Sequence, residues 1–166
     1  MRDILIEKVV VNIGVGKPGD ILENAKDLLS RLADGKKPIE TRAKRREPTF
    51  QLRKDLPIGT KITLRGESAK SFLEKSLIAK RKVLKKSNFD KQGNLAFGVH
   101  EYIDFPGVKY DPSMEMYGFD VCVSLIRKGN RVKTRMLRPA KIGKKHRISP
   151  DEAIEFVEKN FGVKYE

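Results

Sequence analysis

Between residues 36 and 67 the chain reads KKPIETRAKRREPTFQLRKDLPIGTKITLRGE, with two alternating segments on either side of a basic loop. Side chains along a strand point to opposite faces in turn. In Lys61-Ile62-Thr63-Leu64-Arg65, Ile62 and Leu64 share one face, and Lys61, Thr63 and Arg65 share the other. One face can join a core, and the other is cationic and hydrogen-bonding. In the partner segment, Lys37 to Lys44, Arg42 and Lys44 share a face.

The rest of the chain extends this pattern. Ile4 to Ile13 reads as a half-exposed strand, with Leu5, Val9, Val11 and Ile13 on one side and Ile4, Ile6, Lys8, Val10 and Asn12 on the other. A turn, Gly14-Val15-Gly16-Lys17-Pro18-Gly19, leads to a helix opened by Asp20 and Glu23 in a D-x-x-E start close to a capping box. Ile21, Leu22, Ala25, Leu28, Leu29 and Leu32 give its apolar stripe, and Asp34-Gly35 ends it. A second helix, Glu67 to about Lys80, buries Ala69, Phe72, Leu73 and Leu77. Leu95, Phe97 and Val99 alternate as a strand, and Asp104 to Gly118 is a long Pro- and Gly-rich loop. Phe119, Val121, Val123 and Leu125 form the inward side of another strand, with Cys122 and Ser124 outward. Lys128-Gly129-Asn130 suggests a hairpin turn, with Val132, Thr134 and Met136 on its partner. Ser149-Pro150-Asp151-Glu152 is a helix start with Ser as cap, Pro first and Glu three after Ser. Ile154, Val157 and Phe161 make that helix's stripe, and Gly162 closes it.

This order predicts one α+β domain over residues 1–166, with a mostly antiparallel sheet and helices on one face. The open face would carry Lys8, Asn12, Arg42, Lys44, Lys61, Thr63 and Arg65.

Charge turns that face into a function. The 166 residues hold 36 Lys and Arg against 22 Asp and Glu, a net charge of +14, and 35% of residues are charged. A basic folded domain carries the electrostatic footprint of a nucleic-acid binder. The loop around Arg45, Arg46, Thr49, Phe50, Gln51 and Arg53 sets one aromatic among cations. Phe50 either stacks on a base or ribose or folds back under the loop. From residue 127 to 147 there are ten Lys or Arg and no acid. Arg127, Lys128, Arg131, Lys133, Arg135, Arg138, Lys144, Lys145, His146 and Arg147 are therefore further candidates for RNA contact. Such a block orders best against a polyanion.

Other chemistry has little to work with. Gly14-x-Gly16-x-x-Gly19 has the form of a dinucleotide fingerprint, with Glu40 roughly 20 residues on. A nucleotide-dependent enzyme using the Gly14–Gly19 turn is thus one alternative, and a general RNA chaperone another. Against the first, the opening strand carries Lys8 and Asn12, Glu40 sits mid-strand, and no strand–helix alternation follows Glu67. The tight turn can still leave backbone N–H groups to hold an RNA phosphate. Cys122 is the sole cysteine, and His100 and His146 stand far apart. We expect no metal, no cofactor, no small-molecule substrate and no catalysis. No apolar run approaches the ~18 residues of a membrane span, so no membrane partner is expected.

The motifs Val11-Asn12-Ile13-Gly14-Val15-Gly16, Lys37-Pro38-Ile39-x-Thr41-Arg42-Ala43 and Ile58-Gly59-Thr60-Lys61-Ile62-Thr63-Leu64-Arg65-Gly66 resemble the ribosomal protein L-five family. So do Asn88-Phe89-x5-Leu95-x-Phe97-Gly98 and Tyr110-Asp111-Pro112, and Ile142-Gly143-x-Lys145-His146-Arg147-Ile148-Ser149 resembles its archaeal and eukaryotic branch. The resemblance implies a non-enzymatic protein of the cytoplasmic ribosome, in the central protuberance of the large subunit, with 5S rRNA on the sheet face. Its RNA-contacting positions correspond to Asn12, Thr63 and Arg65. Lys36 stands where the family carries a Gln, and it can reach a phosphate but cannot accept a hydrogen bond. The resemblance also implies contact with 23S-type rRNA, an approach of the loop around Thr49 to Leu52 to P-site tRNA, and a bridge to small-subunit head proteins. The family's usual N-terminal helix is expected to be missing or shortened.

Overall fold

A computed structural model describes residues 1–112 and 114–166. Five strands form one sheet: β1 (Ile4–Gly14), β2 (Ile39–Arg42), β3 (Pro57–Leu64), β5 (Leu95–Val99) and β6 (Phe119–Arg127). Their order across the sheet is β2-β3-β1-β6-β5, and every neighbouring pair is antiparallel. The helices are α1 (Asp20–Leu32), α2 (Glu67–Ala79), a four-residue turn α3 (Arg131–Thr134) and α4 (Pro150–Phe161). Most of the stripes predicted for α1, α2 and α4 join the inward residues of the sheet in one hydrophobic cluster, with α1 over β3 and α2 over β1; in α4, Ala153 takes the place expected of Ile154, which is only half-buried. The predicted α+β class with helices on one side of an antiparallel sheet is what forms.

Local chemistry explains both ends of α4. The Ser149 hydroxyl accepts from the backbone N–H of Glu152, and the Glu152 carboxylate accepts from that of Ser149. Gly162 closes α4 in the left-handed conformation, φ 63°, which a Cβ would penalise.

Five expectations need correction. At β1 the inward phase slips: Ile6 pairs with Leu125 and Lys8 with Ser124, so Glu7 is an extra residue in a β-bulge. The bulge turns Ile4 and Ile6 toward the core and leaves Leu5 exposed, not buried with Val9. The Asp20–Glu23 box does not form, because Gly19 holds the cap position and Asp20 is already helical. Both acids still sit in the first turn, where they favour the helix dipole. The hairpin at 128–130 is absent, since β1 and β5 already occupy both edges of β6. The chain instead turns through α3. A short parallel pair, β4 (Val83–Leu84) with β7 (Lys164–Tyr165), was not foreseen in the lysine-rich 81–90 stretch. Finally, β2 is only Ile39–Arg42, shorter than Lys37 to Lys44. The expected loop from Asp104 to Gly118 contains no sheet strand among its described residues, and Ser113 lies outside them. Tyr117 ties this loop to α1 by donating to the Ile21 carbonyl over 3.1 Å.

Candidate nucleic-acid interface

The pairing register writes out the sheet's open face row by row. One row runs Ile39, Lys61, Asn12, Asp120, Gly98 across the five strands. The next runs Thr63, Val10, Cys122, Ala96, and beyond it Lys8 lies opposite Ser124. Lys61, Thr63 and Arg65 are exposed, and Lys8 and Asn12 are half-buried. Five of the predicted residues are therefore brought together. The face is not uniformly cationic: Asp120 stands beside Asn12, and Arg65 Nη1 lies 3.8 Å from Glu7 Oε1. Its electropositive part is the β3 side.

Arg42 and Lys44 do not join that face. The register pairs Ile39 with Lys61, so Ile39 and Thr41 point outward and Glu40 points toward the helices. There the Glu40 carboxylate meets Lys26 Nζ of α1 at 2.6 Å. Lys26 holds the Glu40 carboxyl below the usual carboxylate range, with a smaller contribution from the Arg42 charge on the same side. Equal phase in the two strands was the wrong assumption, because pairing sets the phase and alternation within one strand cannot. Lys36 is exposed in the connection between α1 and β2.

The basic loop has its own frame. Glu47 and Leu52 exchange two backbone hydrogen bonds of 3.0 Å, which pinch Pro48–Phe50 into a tight turn. Gln51 follows at φ 56°, and Phe50 stands 72% exposed at the tip. Phe50 thus points into solvent and does not fold back. Arg45, Arg46, Thr49, Gln51 and Arg53 are exposed around it, with Arg45 3.9 Å from Glu47.

Residues 128–147 form an arch. His146 Nε2 lies 3.1 Å from the Lys128 carbonyl oxygen, and the Ala140 N–H donates to the Val132 carbonyl over 3.1 Å. Arg131, Lys133, Arg135, Arg138, Lys144, Lys145 and Arg147 are exposed on it, as is Lys128, which pairs with Asp3 at 3.2 Å. Arg127 is the exception. Its side chain is 7% exposed, and its Nη2 lies 2.6 Å from Glu152 Oε2, so it belongs to the core of the fold and is withdrawn from any surface contact. Between the arch and the end of the sheet lies a cleft of about 640 Å³. Its lining includes Lys141 from the basic run, and Gln92 and Asn130, which the pattern of strands and charge clusters gave no reason to select.

The Gly14–Gly19 turn is closed to a dinucleotide. The N–H groups of Val15 and Gly16 both donate to the Ile58 carbonyl, over 3.0 and 2.7 Å. In addition, β1 is flanked by antiparallel strands on both sides, whereas the dinucleotide fingerprint belongs to a parallel βαβ unit. The Val15 and Gly16 N–H groups are likewise not left for the RNA phosphate that the turn was expected to be able to hold.

An α+β scaffold with an open face of amide, hydroxyl and cationic groups, a pinched basic loop and a basic arch defines an RNA-binding protein. The comparisons agree. The family model described as ribosomal protein L5 matches residues 1–53, and that of the ribosomal L5P family C-terminus matches residues 57–156. The large ribosomal subunit protein uL5 of Methanococcus vannielii is 48% identical over 166 residues, covering 98% of this chain and 91% of its own. The uL5 proteins of Methanococcus maripaludis strain C5 and of Sulfurisphaera tokodaii are each 47% identical over 164 residues, covering 97% and 98% of this chain and 90% and 92% of theirs. The chain belongs to the ribosomal protein L5 family. It is a structural protein of the cytoplasmic ribosome and not an enzyme.

Proposed function

We propose that this protein is a constituent of the large ribosomal subunit that holds 5S rRNA against the open face of its sheet. The observation that carries the reading is Asn12 opposite Lys61 on that face, with Thr63 and Arg65 along the same strand edge. The amide and hydroxyl suit ribose hydroxyls and base edges, and the cations suit phosphates. Asp120 repels a phosphate strand, so the RNA backbone tracks over β3 and keeps clear of the Asp120 corner of the face. Lys36, at the β2 end of the sheet, and Lys8, midway along β1, extend the cationic track.

The exposure of Phe50 favours a second site. A ring held at the tip of a basic turn can stack on a nucleotide while Arg45, Arg46 and Arg53 hold the backbone. We assign this loop to P-site tRNA. The exposed cations of the arch serve 23S-type rRNA, and the same region of the particle meets small-subunit head proteins.

The test is a double variant, Thr63→Ala with Arg65→Ala, in a 5S rRNA binding titration. Binding should weaken by an order of magnitude or more, and the salt dependence should flatten by about one phosphate contact. An unchanged curve would sink the sheet-face assignment. Removing the charges of Arg45, Arg46 and Arg53 should leave 5S rRNA binding intact and impair tRNA contact. Competition by bulk tRNA separates this reading from a general RNA chaperone, which would not prefer 5S rRNA.

A further inference from the structure

We propose that the cleft under the arch is a pocket for one unpaired nucleotide of the bound RNA. This rests on the reading that RNA lies on the sheet's open face, because Lys8 and Ser124 belong both to that face and to the cleft wall.

The composition of the lining points to such a ligand. Lys8, Lys133, Lys141 and Arg147 bring positive charge to the cleft, and among the described residues none of their side chains makes a hydrogen bond or ion pair. The one carboxylate in the lining, Glu7, faces Arg65. Four unpaired cations against one carboxylate leave the cleft net positive, which attracts an anion.

Charge alone would fit a bare phosphate, but the cleft is too large and too varied for that. Its volume of about 640 Å³ is within the roughly 300–1,000 Å³ of sites that enclose a small organic ligand. Ile126, Pro139, Ala140 and Ile142 supply apolar wall, which a base face can cover. The amides of Gln92 and Asn130 line the same space with no protein partner among the described residues, and an amide presents donor and acceptor together, as a base edge requires. Asn94 differs: its amide donates to Asp90 Oδ2 and its carbonyl accepts from the Leu125 N–H, so it holds the wall in place. Phosphate at the cationic side, ring against the apolar side and edge toward Gln92 and Asn130 describes a nucleotide.

The arch is built to keep this shape. The His146–Lys128 and Ala140–Val132 contacts close it, and the ion pair of buried Arg127 with Glu152 anchors its root to α4. A preformed pocket selects a base that is already unpaired, since extruding a paired one costs a few kcal/mol.

The experiment combines a plug with an abasic scan. Ala140→Trp fills the cleft from an exposed position, and thermal melting confirms that the variant folds. 5S rRNA transcripts, each with one abasic site, are titrated against the wild type and the plugged protein, and AMP, GMP, CMP and UMP are titrated separately. The wild type should lose about tenfold in affinity at one unpaired position, and A140W should lose about tenfold on intact RNA and nothing further at that position. A flat scan, or a sensitive position unaffected by the plug, overturns the proposal. Saturable binding of a free mononucleotide with a flat scan overturns it in favour of a free ligand. If T63A/R65A binds normally while A140W does not, the pocket stands and the sheet-face assignment fails. The reverse result leaves the sheet face and removes the pocket.

Discussion

Arg127 at the end of β6 places its Nη2 2.6 Å from Glu152 Oε2 at the start of α4, joining the last strand of the sheet to the last helix. The same carboxylate accepts from the Ser149 N–H, so one acid serves both the cap and the ion pair. Removing the guanidinium opens a cavity and leaves the cap without its tether. Arg127→Ala should cost about 2 kcal/mol in urea denaturation, at the modest end for a charged hydrogen bond because Glu152 is 46% exposed and can hydrate. Arg127→Met should recover part of that loss by filling the volume. Because the pair also anchors the root of the arch, the folded variants should keep the sheet-face contribution to 5S rRNA binding and lose only what the cleft adds.

Glu152 also gives the fold an acid limit. Arg127 first, then the Ser149 backbone, hold its carboxyl below the ordinary value of 4.5. A carboxylate with a lowered folded pKa stabilises at pH above its unfolded value and loses that contribution as pH falls through the folded one. Thermal melts should therefore drop below about pH 4.5, and Glu152→Gln should be less stable at pH 7 but flatter across that window. Equal slopes in the two proteins would disprove the linkage.

Gly59 sits where β2 and β3 cross the end of β1. A Cβ there would lie 2.7 Å from the Ile13 carbonyl oxygen and 2.8 Å from Thr41 Oγ1. The oxygen is backbone inside the sheet and cannot move aside. Gly59→Ala should destabilise by about 1–3 kcal/mol, seen as a lower denaturation midpoint.

Cys122 offers a chemical view of the open face. It is exposed between Val10 and Ala96, and burial of its surroundings, then Asp120, push its thiol above the ordinary value. Little thiolate is present at neutral pH, so maleimide labelling should be slow and should accelerate with rising pH. Bound 5S rRNA should slow it further. Unchanged labelling in the complex would place the RNA elsewhere.

The sequence carried the fold class and much of the face, and its errors have physical causes. Periodicity within one strand places Lys61, Thr63 and Arg65 together because nothing interrupts β3 there. It misplaces Leu5 because a bulge is one extra residue with no composition of its own. Arg42 and Lys44 go to the wrong side because phase between strands is a property of pairing. The α4 cap was legible because Ser, Pro and Glu act on their own backbone within one turn. Arg127 was read as surface from its neighbours in a basic run, although alternation continued from Leu125 sets it inward. The cleft had no sequence signature, since Gln92 and Lys141 meet only after the arch has folded over the sheet.

The order β2-β3-β1-β6-β5 puts the earliest strand in the middle. During synthesis β1 can pair on one side once residue 64 has emerged, but its other edge waits for Phe119–Arg127. Until then an apolar strand edge is open to any passing chain. Folding is governed by that long-range closure and should be slow for a protein of this size. The interval between the two pairings is when the nascent protein is most exposed to aggregation, and when a binding partner for β1 would protect it best.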